Sequence, residues 1–153
     1  TLPSMTDAAQ ENDVAYKLAL SKQLAGITAA VEFYGQRNFE PIWIDRSRDA
    51  RKRLLALQSA FDDSVAHGLP VGMFDAAALQ ADIRAIRTSA DLGHIEGKIT
   101  RAYLSYAQMI QFGVLVPGSV DEEIKRKRKK IDQGSYLRNL LGLKCSYRKY
   151  NKI

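Results

Sequence analysis

The chain is poor in the residues that carry metal, disulfide and thiol chemistry. Its 153 residues include one cysteine and two histidines. One cysteine cannot form an internal disulfide, and these three residues stand too far apart in the sequence for a metal-ligand spacing. The sequence therefore predicts no bound metal and no cofactor, and it leaves the redox compartment open.

Long apolar runs are also missing. No stretch of about 18 apolar residues occurs, which argues against a membrane-spanning helix. The first residues, 1–7, have neither the basic start nor the apolar stretch of a signal peptide. The sequence begins without methionine, which indicates a processed product or a fragment. A hydrophobic content of 46% in 153 residues is enough for one domain with a sizeable core.

No pattern of a known catalytic centre is present. The sequence contains no P-loop, no dinucleotide-binding glycine pattern and no serine nucleophile elbow. Cys145 has only cationic neighbours to lower the pKa of its thiol, and neither histidine is close to it in sequence. His67 is explained by helix termination, and Asp45 with Asp49 stand among arginines, which favours a solvated face. We predict no enzymatic activity for this chain alone, with catalysis through Cys145 as the least favoured hypothesis.

What is abundant is helical periodicity. Apolar residues recur at steps of three and four along most of the chain, which indicates an all-α, mainly helical fold with several helices packed into one compact domain. The expected helices cover residues 14–34, 47–65, 75–86, 95–112, a segment opened by the capping box of Ser119 and Glu122, and 135–141. Short extended segments are expected around 39–45 and 114–117, the first as an edge strand.

The sequence also predicts the backbone conformation or the burial of several individual residues. Gly68 is expected to adopt a left-handed conformation that ends the second helix, with Leu69 folding back onto it. Trp43 is expected to fill the core. In the 95–112 helix the residues predicted to point inward are Ile99, Tyr103, Tyr106, Met109 and Ile110.

Charge is distributed unevenly. Residues 121–153 hold 11 Lys or Arg against 4 Asp or Glu, whereas residues 1–120 hold 12 against 13, which together give the net charge of +6. We therefore divide the chain into a single helical domain over 1–143 and a basic, poorly ordered tail over 144–153. The strongest feature is a run of six cations: Lys125, Arg126, Lys127, Arg128, Lys129 and Lys130.

Two interpretations of this run stay open. The cations are candidates for a polyanion site that binds phosphates in a salt-sensitive way, with nearby tyrosines stacking on bases. Alternatively, acidic residues 121–123 and the basic residues after them complement a helix dipole and form pairs at i,i+4. The second interpretation is favoured, because no known nucleic-acid motif accompanies the run. Nucleic acid is therefore a disfavoured partner.

Three segments resemble a known family. Residues 33–44, Phe-Tyr-Gly-Gln-Arg-Asn-Phe-Glu-Pro-Ile-Trp-Ile, resemble the start of the scaffold domain of the large periplasmic L,D-transpeptidases, which cross-link murein. Residues 66–70, Ala-His-Gly-Leu-Pro, are similar to the His-Gly-Leu turn of that domain. Residues 99–106, followed by 112–117, resemble its Leu-Thr-x-Ala stretch and the Gly-x-x-x-Pro that follows. The resemblance covers about residues 25–141.

The resemblance implies a non-catalytic scaffold in peptidoglycan cross-linking and cell-wall biogenesis. It implies a periplasmic location in a Gram-negative envelope, and attachment to a membrane only through an N-terminal anchor outside this sequence. The implied partners are the catalytic and peptidoglycan-binding domains of a parent protein, together with peptidoglycan itself. In the family the nucleophile is the cysteine of a Ser-His-Gly-Cys-x-Arg motif. Cys145 lacks that context, so the nucleophile role is not transferred to it.

Overall fold

The fold is known from a computed structural model that describes residues 5–112 and 131–150, with side chains for 10–112 and 131–141. Six helices are described: α1 (Met5–Gln23), α2 (Thr28–Gln36), α3 (Arg48–Asp62), α4 (Ala76–Arg84), α5 (Ser89–Phe112) and α6 (Gln133–Tyr150). The predicted all-α class is confirmed. Within the described ranges, no helix is long and apolar enough to cross a membrane.

The helices pack around α5. Helix α1 runs along α5, α4 also contacts α5, α3 packs on α4, and α2 packs on α6. One cluster of buried side chains joins these elements; its largest fully buried apolar members are Trp43, Tyr34, Leu20, Leu24, Ile42, Ile99 and Leu137. Trp43 is therefore in the core, as predicted.

The first predicted helix, 14–34, is wrong as a single element. Helix α1 ends at Gln23 and α2 begins at Thr28, because Gly26 adopts a left-handed φ of 87° that an α-helix cannot contain. The break turns the chain, so no single apolar stripe runs through both helices. Leu18 in α1 and Val31 in α2 are 55% and 38% exposed, so the apolar residues of 14–34 do not form one buried face.

Helices α3 and α4 begin where their side chains predict. The Ser47 hydroxyl accepts a hydrogen bond from Ala50 N at 3.3 Å, and the Asp75 carboxylate accepts one from Ala78 N at 3.0 Å. These N-caps satisfy donors that a helix leaves unpaired in its first turn. The extension of the helix to residue 65 is wrong, because α3 ends at Asp62 and a series of turns follows.

The turn after α3 has the expected left-handed glycine, but Gly68 does not end the helix as predicted, because α3 already ends at Asp62. Gly68 is left-handed, with φ of 84°, and Leu69 folds back until it is only 5% exposed. The backbone N–H of Leu69 donates to Ser64 O at 3.1 Å, which closes the turn. This hydrogen bond and the buried leucine together hold the His-Gly-Leu segment against the core.

Helix α5 begins earlier than residue 95. Thr88 and Asp91 cap its start reciprocally: Asp91 N donates to the Thr88 hydroxyl and Thr88 N donates to the Asp91 carboxylate, both at 3.1 Å. The inward position of Ile99 is confirmed, since it is fully buried. The predicted inward position of Ile110 is wrong. This side chain is 46% exposed, because the last turn of α5 extends beyond the core.

Helix α6 does not stop at Gly142. It continues to Tyr150, so the predicted end at residue 141 is wrong, whereas the poorly ordered tail over 144–153 stays a prediction. The stop was predicted because glycine is a common C-cap, but glycine is also tolerated inside a helix at a cost of about 1 kcal/mol. The division of the chain at residue 143 into domain and tail stays a prediction.

The extended segment at 39–45 is not a strand, and the described residues contain no β-strand. Two residues with left-handed backbones lie at its start, Asn38 just before it with φ of 55° and Phe39 as its first residue with φ of 59°. The segment at 114–117, the capping box of Ser119 and Glu122 and the basic run Lys125–Lys130 lie outside the described residues.

Candidate functional site

The most unusual chemistry in the described residues is a carboxylate in the core. Glu96 lies in the middle of α5 and is 0% exposed. It is surrounded by the extended segment 39–45, by α2 and by the next turn of its own helix. A buried ionised carboxylate costs several kcal/mol unless its oxygens are fully hydrogen-bonded.

Backbone N–H groups of the extended segment supply those hydrogen bonds. Ile42 N donates to Glu96 Oε1 at 2.6 Å, and Ile44 N donates to Oε2 at 3.1 Å. Trp43 N lies between the two oxygens, at 3.2 Å from Oε1 and 3.3 Å from Oε2. An irregular segment with three consecutive amides needs acceptors in place of a sheet or helix partner, and the carboxylate provides them.

Side chains complete the network on its inner side. The Tyr34 hydroxyl donates to Glu96 Oε1 at 2.7 Å and lies 2.8 Å from the Thr100 hydroxyl. The indole N–H of Trp43 donates to the Thr100 oxygen at 3.0 Å. Thr100 is one turn from Glu96 on α5, so one face of this helix holds both groups. We call Tyr34, Ile42, Trp43, Ile44, Glu96 and Thr100 the Glu96 cradle.

The cradle shifts the pKa values of Glu96 and Tyr34. Burial raises the pKa of Glu96 above its ordinary value, and hydrogen bonds from Ile42, Tyr34, Ile44 and Trp43 act in the opposite direction. The pKa of Tyr34 is raised well above its ordinary value by burial and by the nearby Glu96 carboxylate. Perturbed pKa values often mark catalytic sites. Here every Glu96 oxygen is occupied and closed to solvent, so no proton can be exchanged with a bound substrate.

Two outer contacts fix the start and the middle of the extended segment. The Tyr16 hydroxyl on α1 donates to Phe39 O at 2.6 Å, and Arg53 Nε on α3 donates to Ile42 O at 2.9 Å. Burial and the neighbouring Arg37 lower the pKa of Arg53. The strained backbone at Phe39 is thereby held by a hydrogen bond from a different helix. These hydrogen bonds hold the segment 39–45 rigidly in position.

The structure leaves most of the sequence-predicted candidates untested. The six cations from Lys125 to Lys130 lie outside the described residues. Cys145 lies in α6 at a position where only the backbone is described. His67 is exposed in the turn after α3, and Asp45 is exposed, with its carboxylate accepting from Arg46 N at 2.8 Å. Within the described residues no group of His, Cys, Asp and Glu could hold a metal ion.

Sequence reasoning missed Glu96 and Thr100. Both stand on the face of α5 that also carries Ile99 and Tyr103, and the prediction followed only the apolar members of that face. The available signal was an acidic residue at a core position of an otherwise apolar helix face, which requires partners when buried. The partners themselves were not predictable, because they are backbone amides 52 to 54 residues away in sequence.

One comparison with known proteins shows the family of the chain. A family model described as the scaffold domain matches residues 28–144. No curated protein and no solved structure matches the chain. The matched range includes α2 to α5 and every residue of the Glu96 cradle, and it covers well over half of the sequence. This chain belongs to the scaffold domain family.

Proposed function

We propose that the chain is the non-catalytic scaffold domain of a murein L,D-transpeptidase and supports the catalytic domain during peptidoglycan cross-linking. On this proposal it works in the periplasm of a Gram-negative envelope. Its partners are the catalytic and peptidoglycan-binding domains of the parent protein. A membrane is reached only through an anchor outside this sequence.

One observation carries the proposal. Two of the segments that resemble the transpeptidase scaffold, 33–44 and 99–106, meet in the core. Tyr34 and Trp43 come from the first segment and Thr100 from the third, and they are joined by hydrogen bonds of 2.8 and 3.0 Å. Trp43 also packs on Tyr103 of the third segment, with ring centroids 5.5 Å apart. The resemblance therefore lies in the residues that hold the fold together, as expected for a domain whose role is support.

The chemistry of the cradle agrees with a supporting role. Glu96 is the buried acid of the described core, and its oxygens are already bonded to four donors. General acid–base catalysis needs a group within hydrogen-bond reach of the substrate proton. A fully enclosed carboxylate lacks that access, so Glu96 is not an acid–base catalyst, and on this proposal catalysis comes from another domain.

The test uses isolated sacculi and muropeptide analysis. The chain alone is expected to form no new cross-links, whereas the parent protein, with a Ser-His-Gly-Cys module encoded in the same reading frame, is expected to form them. Cross-linking by the chain alone that disappears in Cys145→Ala would contradict the proposal. A reading frame around this segment that encodes no such module would contradict it as well.

Polyanion binding through the run Lys125–Lys130 is the second candidate, favoured by six adjacent cations in the sequence. Binding of this kind weakens steeply with salt because phosphate contacts release counterions. Titration of labelled DNA at two salt concentrations distinguishes the proposals. Tight binding that is lost at the higher salt supports the second candidate, and no binding at low salt excludes it.

A further inference from the structure

The charged residues of α3 are distributed opposite to the preference of the helix dipole, with cations at the amino end and acids at the carboxyl end. The first two turns hold Arg48, Arg51, Lys52 and Arg53, while the last turn contains Asp62 and no basic residue, and the C-cap is Asp63. The amino end of a helix is its positive pole and favours anions, by about 0.3–1 kcal/mol for each charge. Only Asp49 in the first turn follows that preference. The stability of α3 thus gives no reason for this arrangement.

The arginines at the start of α3 are available to a ligand. Arg46, Arg48 and Arg51 are exposed, and none of them forms an ion pair with a described carboxylate. We call these three residues the arginine edge. Arg53 differs from them because its Nε is bonded to Ile42 O. Because Arg53 lies in the same part of α3 and is bonded to Ile42, the arginine edge is next to the extended segment 39–45. The Glu96 cradle holds this segment in place.

We propose that the arginine edge binds carboxylate groups of an anionic polymer. The inference rests on the proposed function for the identity of that polymer, which is peptidoglycan with its peptide-stem carboxylates. A guanidinium offers a planar fork of N–H donors that matches the two oxygens of a carboxylate. Three guanidinium groups at one end of α3 can each bind a carboxylate weakly. Several weak contacts together hold a polymer with many carboxylates while each contact can still exchange.

The rest of α3 favours small, separated anions over a nucleic-acid duplex or a membrane. The 15 residues of α3 span about 22 Å at a rise of about 1.5 Å per residue. The far end exposes Asp62 and Asp63, which repel a densely charged surface laid along the helix. Residues 44–60 also contain no aromatic side chain on which a base could stack. A carboxylate at the arginine edge meets none of these obstacles.

The experiment compares two variants of the whole chain with equal net charge. The test variant is Arg46→Gln, Arg48→Gln and Arg51→Gln. The control is Lys22→Gln, Arg84→Gln and Arg138→Gln, which removes exposed cations from α1, α4 and α6. Both keep residues 125–130, so any binding by that run is common to them. The probes are poly-L-glutamate and isolated sacculi, with duplex DNA and anionic phospholipid vesicles as the other anions, all at low salt.

The proposal predicts that the test variant binds poly-L-glutamate and sacculi about tenfold more weakly than the natural chain, and that the control changes by less than about twofold. Equal losses in the two variants, no binding of poly-L-glutamate, or a larger loss of DNA or vesicle binding than of poly-L-glutamate binding in the test variant would overturn it. Binding of poly-L-glutamate through the edge without binding of sacculi would remove peptidoglycan as the source and keep the carboxylate site. Loss of sacculus binding in the test variant, with cross-linking by the parent protein intact, leaves the proposed function standing. If the triple variant does not fold, Arg46→Gln, which lies before the helix, replaces it, with Lys22→Gln as its control.

Discussion

The carboxylate of Glu96 is bonded to neutral donors and forms no ion pair with any residue that the structure describes. Three backbone amides and one tyrosine hydroxyl surround it within 3.3 Å. Hydrogen bonds to an ionised acceptor are about twice as strong as those between neutral groups. The burial of this charge is thus offset by bonds that also order residues 42–44. One side chain of α5 thereby determines the path of a segment far away in the sequence.

Replacement of Glu96 by alanine is expected to be strongly destabilising. Glu96→Ala leaves four buried donors without an acceptor, and each costs about 1–3 kcal/mol. We expect a loss of at least about 3 kcal/mol in the free energy of unfolding, measured with urea. The control is Glu32→Ala on the exposed face of α2, for which a change within about 0.5 kcal/mol is expected. Similar losses in the two variants would contradict the role assigned to the cradle.

The raised pKa of Glu96 predicts a pH dependence of stability with a definite sign. Because burial raises the pKa in the folded state, the folded chain binds this proton more tightly than the unfolded chain does. The resulting stabilisation is complete below the unfolded pKa and is lost as the pH rises through the folded one. The carboxylates of Asp91 and Asp132 have lowered pKa values and act in the opposite sense, so a comparison must keep them constant.

Glu96→Gln provides that comparison. The natural chain is expected to exceed this variant in stability by more at about pH 4 than at about pH 8, because only the natural chain loses a proton from position 96. Urea unfolding at both pH values measures the difference. A stability difference that grows with pH would show that the hydrogen bonds outweigh burial and lower the pKa of Glu96.

Helices α1 and α5 approach each other through two glycines. A Cβ at Gly93 would collide with the carbonyl oxygen of Tyr16 and lie 3.1 Å from Leu20 N, and one at Gly97 would collide with the side chain of Gln23. The spacing of four places both glycines on one face of α5. This close approach is what lets Leu20 and Leu24 reach full burial beside α5.

Gly93→Ala is therefore expected to push the two helices apart. A loss of about 2 kcal/mol or more in the free energy of unfolding follows from the overpacking, since the obstacle is backbone. Gly35→Ala in α2 is the matched control, because nothing lies within 4 Å of its added methyl group. That variant is expected to gain up to about 1 kcal/mol from helix propensity. A Gly93→Ala variant as stable as the natural chain would contradict the close packing of α1 on α5.

The elements that were predicted correctly are those with a local signal. Ser47 and Asp75 identify helix starts because a capping bond reaches only three residues along the chain, and Gly68 with Leu69 identifies a turn for the same reason. Two features were missed. The break at Gly26 interrupts an apolar period that is continuous in residue types, and the partners of Glu96 depend on tertiary packing. Local patterns specify the helices, whereas the cradle requires the folded arrangement.

At the scale of the whole molecule, α1 completes the domain although it precedes the matched range of the family model. Tyr16 and Leu20 of α1, and Leu24 directly after it, belong to the core cluster, and burial of each side chain contributes about 1.5–3 kcal/mol. Arg101 on α5 also donates to Gln23 O at 2.5 Å, at the carboxyl end of α1. We infer that the folding unit is longer than residues 28–144.

A chain that begins at Ile27 tests this inference. Without α1 the face of α5 that carries Gly93 and Gly97 is exposed, and the hydrogen bond from Tyr16 to Phe39 O is lost. We expect thermal unfolding monitored by circular dichroism to lose its cooperative transition. A truncated chain that melts cooperatively at the temperature of the full chain would show that α1 is an accessory to the domain.

The most direct test of the account is native-state hydrogen exchange at three amides, those of Ile42, Trp43 and Ile44. The account holds that this non-helical segment is as firmly fixed as the core because Glu96 accepts its hydrogen bonds. It predicts that these amides exchange only with an opening free energy close to that of global unfolding, as core helices do. Exchange at the rate of an exposed loop would contradict the claim that the cradle makes this domain a rigid support.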